Sequence, residues 1–331
     1  MKAVIPVAGA GTRLRPHTYT QPKPLIPVAG KAIISFIIDQ LIEQGVTDFV
    51  FIIGYLGEKI QLYIEREYST ISKEFVVQQS REGSAHAIWT ARKAIQGSDD
   101  IFIFFGDTIV DVNLGIFLNA PTSCVGIKEV DDPREFGVVE FGEDGFINKV
   151  IEKPKIPRSN KAMVGLYRIK EVDQLLSIID KQIKSKYQTH GEYQLTDALM
   201  GLIEQGVKIS GVPVNNWFDC GKSEVLLETN AMLLDKEGYA SSNLPHYDNT
   251  IIIHPVSIGK NCKISNSIVG PHVTIGHNSQ INYSIVKDSI IGNYARIEEV
   301  VLQSSLVGSD AAIKGLRQSL NIGDNTEIDF S

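Results

Sequence analysis

Cysteine is nearly absent. Cys124, Cys220 and Cys262 are scattered along 331 residues and form no CxxC pair. That excludes a disulfide framework and fits reduced thiols in a cytoplasm. An excess of positive charge is missing too. The net charge of −7 gives no general attraction to nucleic acid or to an anionic membrane, so neither is an expected partner. Any anion site must be built locally. No apolar run reaches the ~18 residues that suggest a membrane span. The opening MKAVIPVA is too short for a signal segment and runs at once into Gly-Ala-Gly, so it reads as a first strand. The expected location is cytoplasmic.

What is present falls into two halves with different periods. Up to about Asp235, apolar runs of strand length alternate with helical patterns. KAVIPV, DFVFII, EFVVQ, IFIFF and CVGIKEV read as buried strands. IISFIIDQLIEQG carries apolar residues at 33, 34, 37, 38, 41 and 42, with Gly45 placed to cap its end. SAHAIWTARKAIQG reads as a helix with Ser84 as N-cap and Gly97 as its end. Alternating strand and helix predicts an α/β domain with a doubly wound, mostly parallel sheet over residues 1–235.

Residues 236–250, polar with Gly and Pro, read as a linker. Beyond them, over 251–331, the beat becomes six: Ile252, Ile258 and Ile264, then Ile275 and Ile281, Ile291 and Ile297, Ile322 and Ile328. Short phrases ending in Gly recur, from SIG and SIVG to NIG. Hexapeptide repetition predicts a parallel β-helix, with apolar residues inside and Gly or Asn at the corners. A small β-sandwich would alternate at two instead.

The first strand runs into GAGTRLRPHTYTQPKPLIPVAGK. A loop leaving the C-terminal end of a parallel strand lies where such sheets bind ligands. Gly9 and Gly11 let backbone N–H groups approach phosphate oxygens. Arg13 adds a fork of donors. Pro22 and Pro24 stiffen the chain around Lys23, and a positioned cation suits phosphoryl transfer. A dinucleotide-binding loop would need a third glycine where Leu14 stands, and a Walker A loop would need G-K-[ST], so neither fits.

These residues resemble the signature of the sugar-1-phosphate nucleotidyltransferases. The likeness continues through VVQQSREGSAHA, FFGDT, FGVVEF, VIEKP, MVGLY, GEYQLTDAL and WFDCGKSEVLLETN, in the family's order. MVGLY and WFDCGKSEVLLETN are most similar to the long-form glucose-1-phosphate thymidylyltransferases. The resemblance implies a Rossmann-like mixed sheet followed by a left-handed parallel β-helix. It implies NTP plus hexose 1-phosphate giving NDP-sugar and pyrophosphate, with dTTP and glucose 1-phosphate as the first substrates expected.

By the same likeness, Lys23 and Arg13 are catalytic. Asp107 and Asp219 hold one Mg²⁺, the expected cofactor. Ala8, Gly9, Gly11, Thr12, Gln78 and Gly83 bind the nucleotide, with Gln78 reading a pyrimidine edge by donating and accepting at once. Gly137, Glu152, Lys153 and Gly165 take the sugar phosphate. Two positions depart from the pattern: Thr108 stands where Asn is usual, and Arg81 where Pro is frequent.

Alternatives stay open. Ala8 in VAGAGTR matches the uridylyl form, which makes UTP an alternative with glucose 1-phosphate or N-acetylglucosamine 1-phosphate. His254, His272 and His277 invite an acyl-transfer reading of the tail, but about four coils fall short of an acyl-CoA groove plus a sugar site. A non-catalytic regulatory relative would be free to lose Lys23, Asp107 and Asp219, and all three are present. Self-association through flat β-helix faces is the expected assembly.

Overall fold

Strand Lys2–Val7 is flanked by two parallel neighbours, Asp48–Ile53 on one side and Ile101–Phe104 on the other. In this computed structural model, which describes residues 1–236 and 238–315, these strands anchor a nine-stranded sheet. Its main path runs Ile147–Glu152, Gly137–Phe141, Lys161–Ile169, Ile101–Phe104, Lys2–Val7, Asp48–Ile53, Ser72–Val77. Alternate residues point to opposite faces. Val4, Val50, Ile52 and Ile103 enter one core, and Ile5, Phe49, Phe51, Phe102 and Phe104 enter the other. Burial on both faces is why these strands read as unbroken apolar runs.

The sheet is mixed. Lys161–Ile169 is the reversed strand, antiparallel both to Ile101–Phe104 and to Ser123–Glu129, so the CVGIKEV strand points the same way as Ile101–Phe104 and pairs in parallel with Ile209–Pro213. Ser72–Val77 is an edge strand and not a buried one, with Val77 exposed. Helix Ile33–Glu43 ends as expected: Gly45 takes φ 82° and donates to the Ile42 carbonyl. The SAHAIWTARKAIQG helix is interrupted at Ala91 into Ser84–Thr90 and Arg92–Ile95. Its N-cap is Gly83, not Ser84. The Ser84 hydroxyl is engaged elsewhere, donating to Gln194 Oε1 and accepting from Leu195 N.

A separate ribbon pairs Thr108–Asp111 antiparallel with Asn216–Asp219, setting Asp219 opposite Thr108. Two distant segments thereby bring Asp107 and Asp219 to one end of the ribbon.

The chain divides into two compact units, Met1–Thr229 and Asn230–Ser331. That division falls inside helix Ser223–Asp235, and the bonds of its last turns account for it. Asn230 donates to the His272 carbonyl and accepts from Thr274 Oγ1, and Asp235 lies 3.3 Å from His272 Nε2. The 236–250 tract is tied to the same unit by Ser241, whose N–H donates to the Val256 carbonyl.

The second unit is a left-handed parallel β-helix with three parallel sheets, each of four strands among the described residues. Inward residues stack in columns: Ile252, Val269, Val286 and Leu302; Ile258, Ile275, Ile291 and Val307; Ile264, Ile281, Ile297 and Ile313. Ile322, Ile328 and NIG lie outside the described residues. Gly270, at φ 109° between Ile268–Val269 and Val273–Ile275, turns a corner as expected, but other repeat glycines do not. Gly276 and Gly292 do not make the corners; a Cβ there would sit 2.6 Å from Asn293 N and 2.4 Å from Ser309 N in the next coil. Corners are made by left-handed residues such as Asn261, Asn278, Tyr294 and Asp310.

Candidate active site

Strand Lys2–Val7 delivers its loop to a cleft of two adjoining cavities. The larger, about 660 Å³, is lined by Ala8, Gly9, Gly11, Thr12, Arg13 and Lys23 from the loop, and by Gln78, Gly83 and Asp107. The smaller, about 230 Å³, is lined by Gly137, Glu152, Gly165, Thr196, Trp217 and Asp219. Arg13, Ser84, Phe105, Asp107 and Glu192 line both. Of the residues assigned to catalysis, substrate or metal in the sequence, only Lys153 lines neither. It is exposed, with φ 42°, and its N–H is held by the Phe136 carbonyl.

Lys23 lines the larger cavity and pairs with Asp107, which lines both. Pro22 is extended and Lys23 opens a short 3₁₀ turn, Lys23–Leu25, so the proline pair does fix the local backbone. Gly11, at φ 59°, lies close to this turn; a Cβ there would be 3.0 Å from Thr18 Cγ2 and 3.1 Å from Lys23 Cβ. Its missing side chain therefore makes room for Lys23, whereas a Cβ on Gly9 would enter open space.

Lys23 is only 5% exposed. A buried cation without partners would be costly. Its Nζ lies 2.9 Å from Asp107 Oδ2 and 3.3 Å from Asp219 Oδ1. Burial opposes the charge, but the two carboxylates outweigh it and hold the Lys23 pKa above the ordinary lysine value. For Asp107, packing favours the neutral acid, yet the Lys23 ammonium and the Thr108 hydroxyl hold its pKa below the usual carboxylate range. Thr108 Oγ1 donates to Asp107 Oδ1 at 3.3 Å, so the departure from Asn still supplies a donor.

Arg13 Nη2 reaches Asp219 Oδ2 at 3.3 Å and is more than half exposed to the cleft. It lies over Gly221, where a Cβ would be 2.6 Å away. Two carboxylates already share one cation here, and a hard divalent ion commonly takes one or two carboxylates plus substrate phosphates. The donor set suits that ion. Among the described residues no group of three or more His, Cys, Asp or Glu could hold a metal without substrate.

Glu152 faces the smaller cavity and accepts from Thr196 Oγ1 at 3.0 Å. Burial pushes its carboxyl pKa up, with Thr196 opposing. A Cβ on Gly137 would lie 2.8 Å from Thr196 Cγ2, so that glycine keeps strand and helix in close approach. Thr196, Glu192, Gly221 and Trp217 belong to motifs visible in the sequence, but no single-residue pattern marked them. Two of the three β-helix histidines are engaged structurally: His272 lies 3.1 Å from Asp288 Oδ1, and His277 Nδ1 accepts from Lys260 N, while His254 is exposed.

A family described as nucleotidyl transferase matches residues 2–236, and the chain belongs to it. The chain is 33% identical to the bifunctional protein GlmU of Methanococcus vannielii, with 94% of this chain and 78% of that protein covered. It is 28% identical to the glucose-1-phosphate thymidylyltransferase of Streptomyces antibioticus, with 99% and 93% covered. Some related GlmU proteins are longer: the chain spans 60% and 55% of two from Methanococcus maripaludis. The solved UDP-glucose pyrophosphorylase with UDP-glucose has a TM-score of 0.61 at 24% identity, covering 70% of this chain and 97% of that one, and so shares the fold. No helix among the described residues is long and apolar enough to cross a membrane.

Proposed function

We propose that the protein joins a nucleoside triphosphate to a hexose 1-phosphate, releasing pyrophosphate, with dTTP and glucose 1-phosphate as preferred substrates and UTP as the alternative nucleotide. One observation carries the reading: two cavities, one rimmed by a glycine loop and one by Glu152 and Thr196, share Arg13 and Asp107, and Asp107 is paired with the Lys23 ammonium. The likeness to the Streptomyces thymidylyltransferase over nearly the whole chain supports the nucleotide choice.

A phosphate oxygen of the sugar attacks the α-phosphorus, and the bond to the bridging oxygen breaks as pyrophosphate leaves. The nucleophile is already anionic at neutral pH, so no general base is needed. The difficulty is gathering negative charge. Lys23 is held charged beside Asp107, on the wall of the nucleotide cavity, placed to meet the reacting phosphates. Arg13 faces the triphosphate and the departing pyrophosphate. Loop N–H groups at Gly9 to Thr12 and the wall at Ala8, Gln78 and Gly83 take the nucleotide. Glu152 accepts from sugar hydroxyls, backbone at Gly137 and Gly165 approaches the hexose, and Lys153, next to Glu152 in the chain, grips the sugar phosphate. Asp107 and Asp219 would hold Mg²⁺ together with substrate phosphates, and the ion supplies charge neutralisation when bound.

The β-helix serves self-association in this reading. Ile251, Ile268, Ile285 and Val301 pair in register, and the ladder is apolar and exposed at Ile251, Ile285 and Val301, with Ile268 half-buried. The test of the reaction is pyrophosphate release across dTTP, UTP, CTP, ATP and GTP with glucose, N-acetylglucosamine and mannose 1-phosphates. Release with dTTP and glucose 1-phosphate is expected. Silence across the whole matrix contradicts the reading.

A further inference from the structure

Gln78 projects from the end of strand Ser72–Val77 into the larger cavity, yet its side chain is 5% exposed. Its backbone is fixed, with N–H donating to the Ile53 carbonyl at 2.8 Å. The amide nitrogen Nε2 meets two groups. One is the Gly83 carbonyl at 3.3 Å, the other His86 Nδ1 at 3.1 Å. A carbonyl only accepts, so the atom facing it must be the amide NH₂ and not the amide oxygen. With one hydrogen on Gly83, the other is given to His86 Nδ1, which must then be the unprotonated ring nitrogen. Both amide hydrogens are committed. Among the described residues no donor meets Oε1, and it is not among the buried unsatisfied atoms.

We infer that His86 is a positioning residue that locks Gln78 as an acceptor only, so the cavity takes bases that present a ring N–H and rejects cytosine. This rests on the nucleotidyltransferase reading above and corrects the expectation that Gln78 donates and accepts at once. Uracil and thymine both carry N3–H, whereas cytosine presents a bare N3. Turning the amide over to suit cytosine would set its oxygen against the Gly83 carbonyl and leave His86 Nδ1 without its donor.

The lock is held from behind. The His86 ring stacks near Trp89, with centroids 6.0 Å apart, and lies 6.4 Å from Tyr193. Gly83 is fixed at φ 110°, and a Cβ there would lie 2.4 Å from the Tyr193 carbonyl oxygen. That carbonyl accepts from Ala85 N, while Tyr193 N donates to Glu82 O. The Gly83 carbonyl therefore cannot turn away from Gln78 without breaking this zipper.

The test is equilibrium binding of dTTP, UTP and CTP, with Mg²⁺ and no sugar phosphate, to the full chain and three variants. Wild type is expected to bind CTP at least ~100-fold more weakly than dTTP or UTP, because a site built to receive a hydrogen bond rejects a base lacking the donor. His86→Phe, which keeps a ring for stacking, should shrink that gap to under ~10-fold while leaving the dTTP to UTP ratio unmoved. His86→Asn, whose side-chain oxygen can accept where Nδ1 did, should restore the gap. If the Phe variant does not fold, His86→Ala takes its place against Asn. An unchanged CTP gap in the Phe or Ala variant overturns the inference, as does an Asn variant no more selective than Phe. Selective binding without pyrophosphate release in the substrate matrix would overturn the proposed reaction and leave the lock standing.

Discussion

The two units treat polar groups in opposite ways. In Met1–Thr229, an ammonium is buried and balanced by two carboxylates from remote segments. In the β-helix unit, no charged residue is buried among the described residues, and the buried polar groups are small or locally paired, such as Ser279, Ser284 and Ser289. These hydroxyls bond nearby backbone: Ser279 Oγ donates to the Gly292 carbonyl and accepts from Ala295 N. A repeated coil can satisfy itself with neighbours one turn away. A catalytic cleft has to gather charge from distant parts of the chain, and its stability and its chemistry depend on the same pairs.

Changes that break the charge balance should therefore act mainly on turnover, while changes in the coil should act mainly on stability or assembly. The largest expected effect is on Lys23→Ala: a fall of ~10³-fold or more in kcat, with the circular dichroism spectrum retained. Pyrophosphate release measured beside the spectrum checks it, and a fall under tenfold would remove Lys23 from the chemistry. Next is Gly83→Ala, which meets both positive φ and the Tyr193 backbone; nucleotide affinity should drop ~10-fold or more, read by calorimetry.

Ile281→Ala tests the other unit. Its side chain is 1% exposed in the coil core, so the expected loss is about 2–5 kcal/mol in denaturant unfolding, with kcat of the folded protein unchanged. Ile285→Glu together with Val301→Glu places charge on the apolar ladder, and sedimentation should show a smaller assembly than wild type. A wild-type monomer would remove the assembly reading.

The smallest effect is on stability against pH. The Asp107 pKa is lowered, so its contribution is complete above the ordinary carboxylate range and is lost as pH falls through the lowered value. The Lys23 pKa is raised, so its contribution is complete below the ordinary lysine range and is lost as pH rises through the raised value. The pair should leave stability flat at neutral pH, with a fall at each extreme. Asp107→Asn should shallow the acid limb, and an identical limb would show that Asp107 contributes nothing to it.

Legibility in the sequence followed the same division. The β-helix announced itself through apolar residues at a spacing of six, though its columns show that the step shortens to five in places, as from Ile264 to Val269 and from Ile281 to Val286. Gly270 turns a corner as read, but Gly276 and Gly292 were misread in role, because coil-to-coil crowding leaves the same mark as a turn. In the other unit, the apolar strands and the Pro-Lys-Pro turn could be read from local residues. Strand direction could not: the reversed strand Lys161–Ile169 reads as an apolar run like its neighbours. The meeting of Asp107 with Asp219 depends on a two-stranded ribbon that no local pattern encodes, and only the family likeness joined them. His86 and Gly221 escaped notice because each acts through a neighbour, one through Gln78 and the other by leaving space for Arg13.

The most direct trial of the shared-cation arrangement is a Mg²⁺ titration of pyrophosphate release, wild type against Asp219→Asn. Loss of one of two carboxylate ligands should raise the half-saturating Mg²⁺ concentration by ~10-fold or more, or abolish turnover. Superimposable titration curves would contradict the claim that both aspartates serve one ion at the junction of the two cavities.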